Sequence, residues 1–247
     1  MNCVCDEKIC TACGACKAKC KKNGINVIEK NNGFLSYNKL NINCHACSFI
    51  CPQNKEFHRS MVRSAYALQI KEKSTLLNST SGGAFSAIAE YVLNKQGVVY
   101  GARYTDNLMV EHFEATTMND IKSMHGSKYI QSDIYSCFTK IKHRLETGKW
   151  VLFVGMPCQV AAVYAYLEKE YEKLITADLI CSGVPSPLLW KRYIEYIEEK
   201  YRIKVIDYKF RDKHLYGVSH TVVIKFLDKC GKIREKTYKY RNEISFY

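Results

Sequence analysis

Four cysteines at gaps of two, two and three residues, Cys10-Thr-Ala-Cys13-Gly-Ala-Cys16-Lys-Ala-Lys-Cys20, constrain this chain more than any other feature. At that spacing three consecutive thiolates can wrap one iron–sulfur cubane while the fourth reaches a neighbouring one. A second run, Cys44-His-Ala-Cys47-Ser-Phe-Ile-Cys51-Pro52, repeats the last three positions and adds the proline that commonly follows the fourth cysteine. Three residues before Cys44, where the repeat calls for another cysteine, stands Asn41.

In the two-cluster bacterial ferredoxins that these runs resemble, the fourth ligands are exchanged between sites. That exchange assigns Cys10, Cys13, Cys16 and Cys51 to one complete 4Fe-4S site. The other site holds Cys20, Cys44 and Cys47 and is one cysteine short. Its fourth corner is open to Cys3 or Cys5, to Asn41, to His45, to water, or to nothing if the cluster is 3Fe-4S. Zinc also accepts C-x2-C pairs, but it pairs two such knuckles rather than four cysteines strung at short gaps. Between the runs, Gly24 to Ile28 and Gly33 to Tyr37 have the composition of two short strands.

At 247 residues the chain exceeds what such a module needs, so two unequal domains are expected. Residues 1–60 would form an α+β ferredoxin-like two-cluster domain, and residues 61–247 an α/β domain. Nine of the 13 cysteines fall between Cys3 and Cys51, and Cys137, Cys158, Cys181 and Cys230 are scattered singly. No basic-then-apolar signal opens the chain, so the cytoplasm is the expected address and the cysteines are ligands or redox thiols rather than disulfides. The longest uncharged run, Val151 to Leu167, is broken by Gly155, Pro157 and Gln159, and no integral membrane segment is expected. The formal charge of +13 is spread along the chain without a basic tail, which argues against nucleic acid and suits an anionic cofactor or an acidic redox partner.

From Ser64 onward helical patterns alternate with apolar β-branched runs, the grammar of a mixed, mostly parallel sheet. A helix opened by Ser81-Gly82-Gly83 precedes a strand at Val98 to Tyr104, and a helix from about Ile134 precedes a strand at Trp150 to Val154. Pro157 then starts a helix, the next strand runs from Ile175 to Cys181, and another helix spans Pro187 to Tyr201. Beyond Val205 antiparallel C-terminal strands turn at Asp228-Lys229-Cys230-Gly231. The Ser81-Gly82-Gly83 turn could admit a phosphate or merely cap a helix. Cys158, at a helix N-terminus, is expected to have a lowered thiol pKa, and Cys181 to share its rim of the sheet.

Taken in order, several motifs resemble the family of beta subunits of coenzyme F420 hydrogenases and dehydrogenases. They are the two cysteine runs, Thr80-Ser81-Gly82-Gly83, Gly126-Ser127-Lys128-Tyr129, Phe153 to Gln159, Asp178 to Ser186, and Phe210-Arg211-Asp212-Lys213. The resemblance implies an iron–sulfur flavoprotein oxidoreductase that binds FAD in its large domain. It would pass electrons between 4Fe-4S clusters and a two-electron carrier, the deazaflavin F420 or another. Ser81, Gly82, Gly83, Gly126, Ser127 and Lys128 would line the flavin, Pro157 and Gln159 would lie near its ring, and Cys158 and Cys181 would be the catalytic thiols. A ferredoxin or another oxidoreductase polypeptide of the same complex would be the protein partner. Family members continue past the equivalent of Tyr247, so a C-terminally shortened form or a fragment is expected. The alternative is a non-enzymatic electron-transfer protein serving a separate flavoprotein.

Overall fold

The computed structural model describes residues 4–21, 23–40, 46–55, 61–215, 217 and 221–239. Cys3, Asn41, Cys44 and His45, and with them most candidates for the missing corner of the second cluster site, lie outside the described residues.

The cysteine module consists of α1 (Ala15–Lys19), a hairpin of β1 (Ile25–Glu29) and β2 (Leu35–Lys39), and α2 (Ala46–Ile50). The hairpin is antiparallel and sets Val27 opposite Tyr37, as the two apolar stretches suggest. Its interior is made of thiols as much as of hydrocarbon: Cys16, Cys47 and Cys51 are buried with Val4, Ile25 and Tyr37, and Cys5, Cys10 and Cys20 pack against them. A unit this small buries little apolar surface of its own. It leans on the large domain, where Ala15 and Ile50 join the core that holds Tyr100, Phe138, Phe153 and Tyr166. The Gln131 carboxamide donates to the Thr11 carbonyl at 2.9 Å, and Lys19 pairs with Glu168, fastening the two parts at their rims.

The large domain begins with α3 (Lys73–Asn78) and α4 (Ala84–Asn94), then β3 (Val98–Tyr104), β4 (Val110–Ala115), α5 (Met118–Met124) and α6 (Cys137–Glu146). It continues through β5 (Val151–Gly155), α7 (Pro157–Leu167), β6 (Leu174–Asp178) and α8 (Pro187–Tyr201) to β7 (Lys204–Lys209), β8 (Thr221–Leu227) and β9 (Ile233–Lys239). The strand order is β4-β3-β5-β6. Both β3–β5 and β5–β6 are parallel, and β4 is antiparallel to β3. Alternation along the central strands builds two cores. Val98, Tyr100, Val151 and Phe153 face α6, α7 and α1, while Val99 and Leu152 face α4 and α5. Each such fully buried side chain contributes about 1.5–3 kcal/mol of hydrophobic stabilisation.

The last three strands form their own antiparallel sheet, β7-β8-β9, with the foreseen turn closed by Gly231 N–H donating to the Asp228 carbonyl at 2.8 Å. Trp190 and Ile194 of α8 pack on Tyr208, Phe210 and Val222 of this unit. The sequence reading places one strand end differently. β6 stops at Asp178 rather than Cys181, because Ile180 is fully exposed and cannot sit in a packed strand. Among the described residues no helix is long and apolar enough to cross a membrane.

Candidate functional site

Cys5, Cys10, Cys13, Cys16 and Cys51 line one small cavity walled by Val4, Tyr37 and Pro52. Four of these are the thiols that spacing assigns to the complete cluster, brought together from α1, the loop before it and the end of α2. Burial pushes the Cys13 thiol up to about 11, with Cys51 and Cys10 adding to the rise. Cys16 is raised by the same causes, burial first and then Cys13, Cys51 and Cys10. Buried and crowded in this way, the thiols stay protonated unless a positive centre offsets the cost of ionising them. Among the described residues no three His, Cys, Asp or Glu side chains converge closely enough for a single metal ion. A four-iron cubane carries its thiolates on its outside, and several thiols arrayed around one cavity are a donor set that suits such a cluster.

Of the second site, Cys20 and Cys47 belong to the same apolar cluster. The Gly24 N–H donates to Cys20 Sγ at 3.2 Å. Cys44 lies outside the described residues. Cys5, one candidate for the missing corner, stands instead at the first site.

Pro157 occupies the first turn of α7 and Cys158 follows it. The expected lowering of the Cys158 pKa is reversed. Burial raises it first and the Cys181 thiol second, and together they outweigh hydrogen bonds from backbone N–H groups and Thr11. Thr11 also lines the cysteine cavity, so Cys158 lies behind the wall of that cavity. Cys181 lies past the end of β6, exposed, 3.7 Å from the Met156 sulfur and accepting from Gly183 N–H at 3.4 Å. The two thiols therefore share the carboxyl rim of the parallel strands.

A larger pocket of about 430 Å³ opens where α3, the end of β3, the end of α5 and the segment after β7 meet. Its wall carries Lys122, His125, Lys128, Lys209 and Arg211, against the carboxylates Asp207 and Asp212. Tyr104, Tyr208 and Phe210 supply flat apolar surface. Lys128 Nζ donates to the carbonyls of Met124, His125 and Gly126 at 3.3, 3.1 and 3.2 Å, so it caps the C-terminal end of α5. Burial lowers its pKa to about 8, with Asp207 opposing the shift. Two polar atoms of the lining, the Tyr104 hydroxyl oxygen and Arg211 Nε, are buried without a hydrogen-bond partner. A cationic wall, aromatic faces and orphaned polar atoms fit a phosphate-bearing aromatic cofactor.

Three of the sequence motifs converge here. Ser127 N–H and hydroxyl both reach Thr80 Oγ1, at 2.8 and 3.0 Å, and Lys213 Nζ donates to the Ser81 carbonyl at 2.6 Å. Gly126, Ser127 and Lys128 line the pocket, whereas Ser81, Gly82, Gly83, Pro157 and Gln159 are not part of its lining. Gly82 has a different neighbour: a Cβ there would lie 2.1 Å from the Leu68 carbonyl oxygen. Its bareness admits the Leu68–Ile70 backbone, and Ile70 N–H donates to the Gly82 carbonyl at 2.8 Å.

Sequence reasoning missed His112 and Ser132. Buried on β4, His112 donates from Nε2 to the Val154 carbonyl at 2.8 Å, which leaves Nδ1 to accept from the Ser132 hydroxyl at 3.0 Å. Burial drives this imidazole down to about 4. Gln159 Nε2 donates to the Ser132 hydroxyl at 2.9 Å, and Gln159 Oε1 accepts from Met156 N–H at 3.0 Å. The chain of bonds fixes the Met156-Pro157-Cys158 turn. A lone histidine in an alternating strand carries no signal that would have marked it.

Residues 148–241 match the family described as the C terminus of the coenzyme F420 hydrogenase/dehydrogenase beta subunit. A curated relative, the F subunit of the F(420)H(2) dehydrogenase of Methanosarcina mazei, is 26% identical over 194 residues, covering 72% of this chain and 54% of its own. The chain thus spans about half the length of the curated relative it matches. A chain of the F420-reducing NiFe hydrogenase complex from Methanosarcina barkeri aligns with a TM-score of 0.45 and 19% identity, covering 68% of this chain and 57% of that one. Over its C-terminal part, then, this protein is similar to the beta subunits of coenzyme F420 hydrogenases and dehydrogenases.

Proposed function

We infer that this protein is an oxidoreductase component akin to the beta subunits of F420 hydrogenases and dehydrogenases, exchanging electrons between iron–sulfur clusters, FAD and a two-electron carrier such as a deazaflavin. The observation that carries this reading is the cation-walled pocket lined by the Ser127 and Arg211 motifs, with two unsatisfied buried polar atoms in its wall and Thr80 bracing Ser127. Flavin stores two electrons and a cubane moves one, so their juxtaposition links single-electron carriers to hydride chemistry.

Within that scheme each part of the chain has a task. Cys10, Cys13, Cys16 and Cys51 hold one cluster, and Cys20, Cys44 and Cys47 contribute to the second. Arg211 holds phosphate oxygens and Lys128, its donors committed to the α5 carbonyls, lends positive charge, while Tyr104, Tyr208 and Phe210 flank the ring and exclude water. Cys158 and Cys181 furnish a sulfur-lined crossing between the cysteine cavity and the sheet rim. The spread of positive charge suits an acidic ferredoxin or another polypeptide of an oxidoreductase complex in the cytoplasm.

The test is anaerobic purification with cluster reconstitution, then extraction of the bound cofactors. Iron, sulfide and flavin recovered together support the enzyme reading. Iron and sulfide without flavin under saturating FAD would leave only an electron-transfer protein.

A further inference from the structure

Five thiols surround a site that needs four. Cys5, Cys10, Cys13, Cys16 and Cys51 all line the same cavity, and Cys5 packs against the cysteine core that holds Cys16, Cys47 and Cys51. The position of Cys5 is itself built. Val4 is buried in the cysteine core, and its N–H and carbonyl are held by the Tyr37 carbonyl and the Asn54 carboxamide at 3.3 and 3.1 Å. Next along the chain, Asp6 closes the turn by accepting from Ile9 and Cys10 N–H at 3.1 Å each. Cys5 is thus presented to the cavity by backbone anchored on both sides.

We propose that Cys5 is an exchangeable fifth ligand of the first cluster, able to replace Cys51 or Cys10 on iron. This rests on the cluster assignment made above and goes beyond it. The exchange is a substitution, and no electron moves. One iron–thiolate bond breaks as the Cys5 sulfur binds the same iron; the Cys5 proton goes to solvent, and the displaced thiolate takes up a proton from solvent. Its structural basis is that Cys51 follows α2 while Cys5 belongs to the N-terminal loop. The cluster can therefore stay anchored to α1 through Cys13 and Cys16 while its remaining ligands change.

The experiment compares the full-length wild type with Cys51→Ser, Cys5→Ser and the double variant, each reconstituted anaerobically. Iron and sulfide content and electron paramagnetic resonance are read for each. Expected is a Cys51→Ser protein that keeps the wild-type iron content with a shifted resonance, and a double variant that loses about four irons relative to it, or about one if a 3Fe-4S core remains. Alkylation followed by mass spectrometry gives a second readout independent of yield: Cys5 should label in the wild-type holoprotein and be protected in Cys51→Ser. If Cys51→Ser already loses as much iron as the double variant while Cys5 stays reactive, the inference is overturned and the cluster assignment survives. A wild type that takes up no iron overturns both. Should Cys51→Ser fail to fold, Cys10→Ser with and without Cys5→Ser puts the same question from the other neighbour.

Discussion

The Gln159 side chain donates to the Ser132 hydroxyl at 2.9 Å and accepts from the Met156 N–H at 3.0 Å, so one buried amide joins the loop before α6 to the turn that presents Cys158. Beneath it His112 stays neutral, its pKa driven down to about 4 by burial. In the unfolded chain the same imidazole titrates near 6.5. Between these values the unfolded state binds more protons, so stability is full above about 6.5 and falls as pH drops toward 4, by about 3 kcal/mol. Urea unfolding at pH 7.5 and pH 5 should show that slope in the wild type and a shallower one in His112→Gln.

Lys128 titrates near 8 because it is buried, and a phosphate-bearing ligand should bind the protonated amine. FAD affinity is expected to hold below pH 8 and to weaken progressively above it, as the amine loses its charge. Lys128→Met should cost roughly 10-fold in affinity, the effect of removing one partly desolvated charge beside the phosphates, and should flatten the pH dependence. Fluorescence titration across pH 6.5–9.5 checks both; a steep loss persisting in Lys128→Met would assign the effect elsewhere.

Gly82 faces the Leu68 carbonyl so closely that Gly82→Ala must displace the Leu68–Ile70 strap. Overpacking of this kind costs about 1–3 kcal/mol. The variant should melt several degrees lower, and trypsin should cut faster at Arg63 and Lys71, which flank the exposed segment. An unchanged digestion pattern would show that the strap tolerates the methyl group.

The two rim thiols should differ in reactivity. Cys181 is exposed, whereas Cys158 is half-buried and its thiol is raised, mainly by burial. Brief alkylation of the native protein at pH 8 should modify Cys181 well before Cys158, and Cys181→Ser should speed Cys158 by removing a neighbour that helps raise its thiol. Peptide mapping of the labelled protein decides the order.

How far the sequence speaks depends on the kind of constraint. Ligand spacing is local, and the convergence of Cys10, Cys13, Cys16 and Cys51 on one cavity could be anticipated from it. The central strands were legible because Val98-Val99-Tyr100 and Val151-Leu152-Phe153 are buried on both faces. By contrast β4, Val-Glu-His-Phe-Glu-Ala, is an edge strand whose mixed composition hides it. The sign of the Cys158 shift also escaped, since a helix N-terminus is visible in sequence and desolvation is not. Gly82 illustrates a third limit: a phosphate and a crossing backbone ask for the same missing side chain.

Ala15 and Ile50 lie in one core with Phe138 and Tyr166, so the cysteine module is set into the large domain as masonry rather than hung from it. Under the function proposed above, such a module would not deliver electrons by swinging on a tether: the distance from a cluster held by Cys13 to the sheet rim would be fixed once, at folding, and the transfer rate left to respond to driving force. The same masonry would make iron supply a structural matter, because a cluster lost from behind α1 and α2 would loosen the wall on which Phe138 and Tyr166 rest.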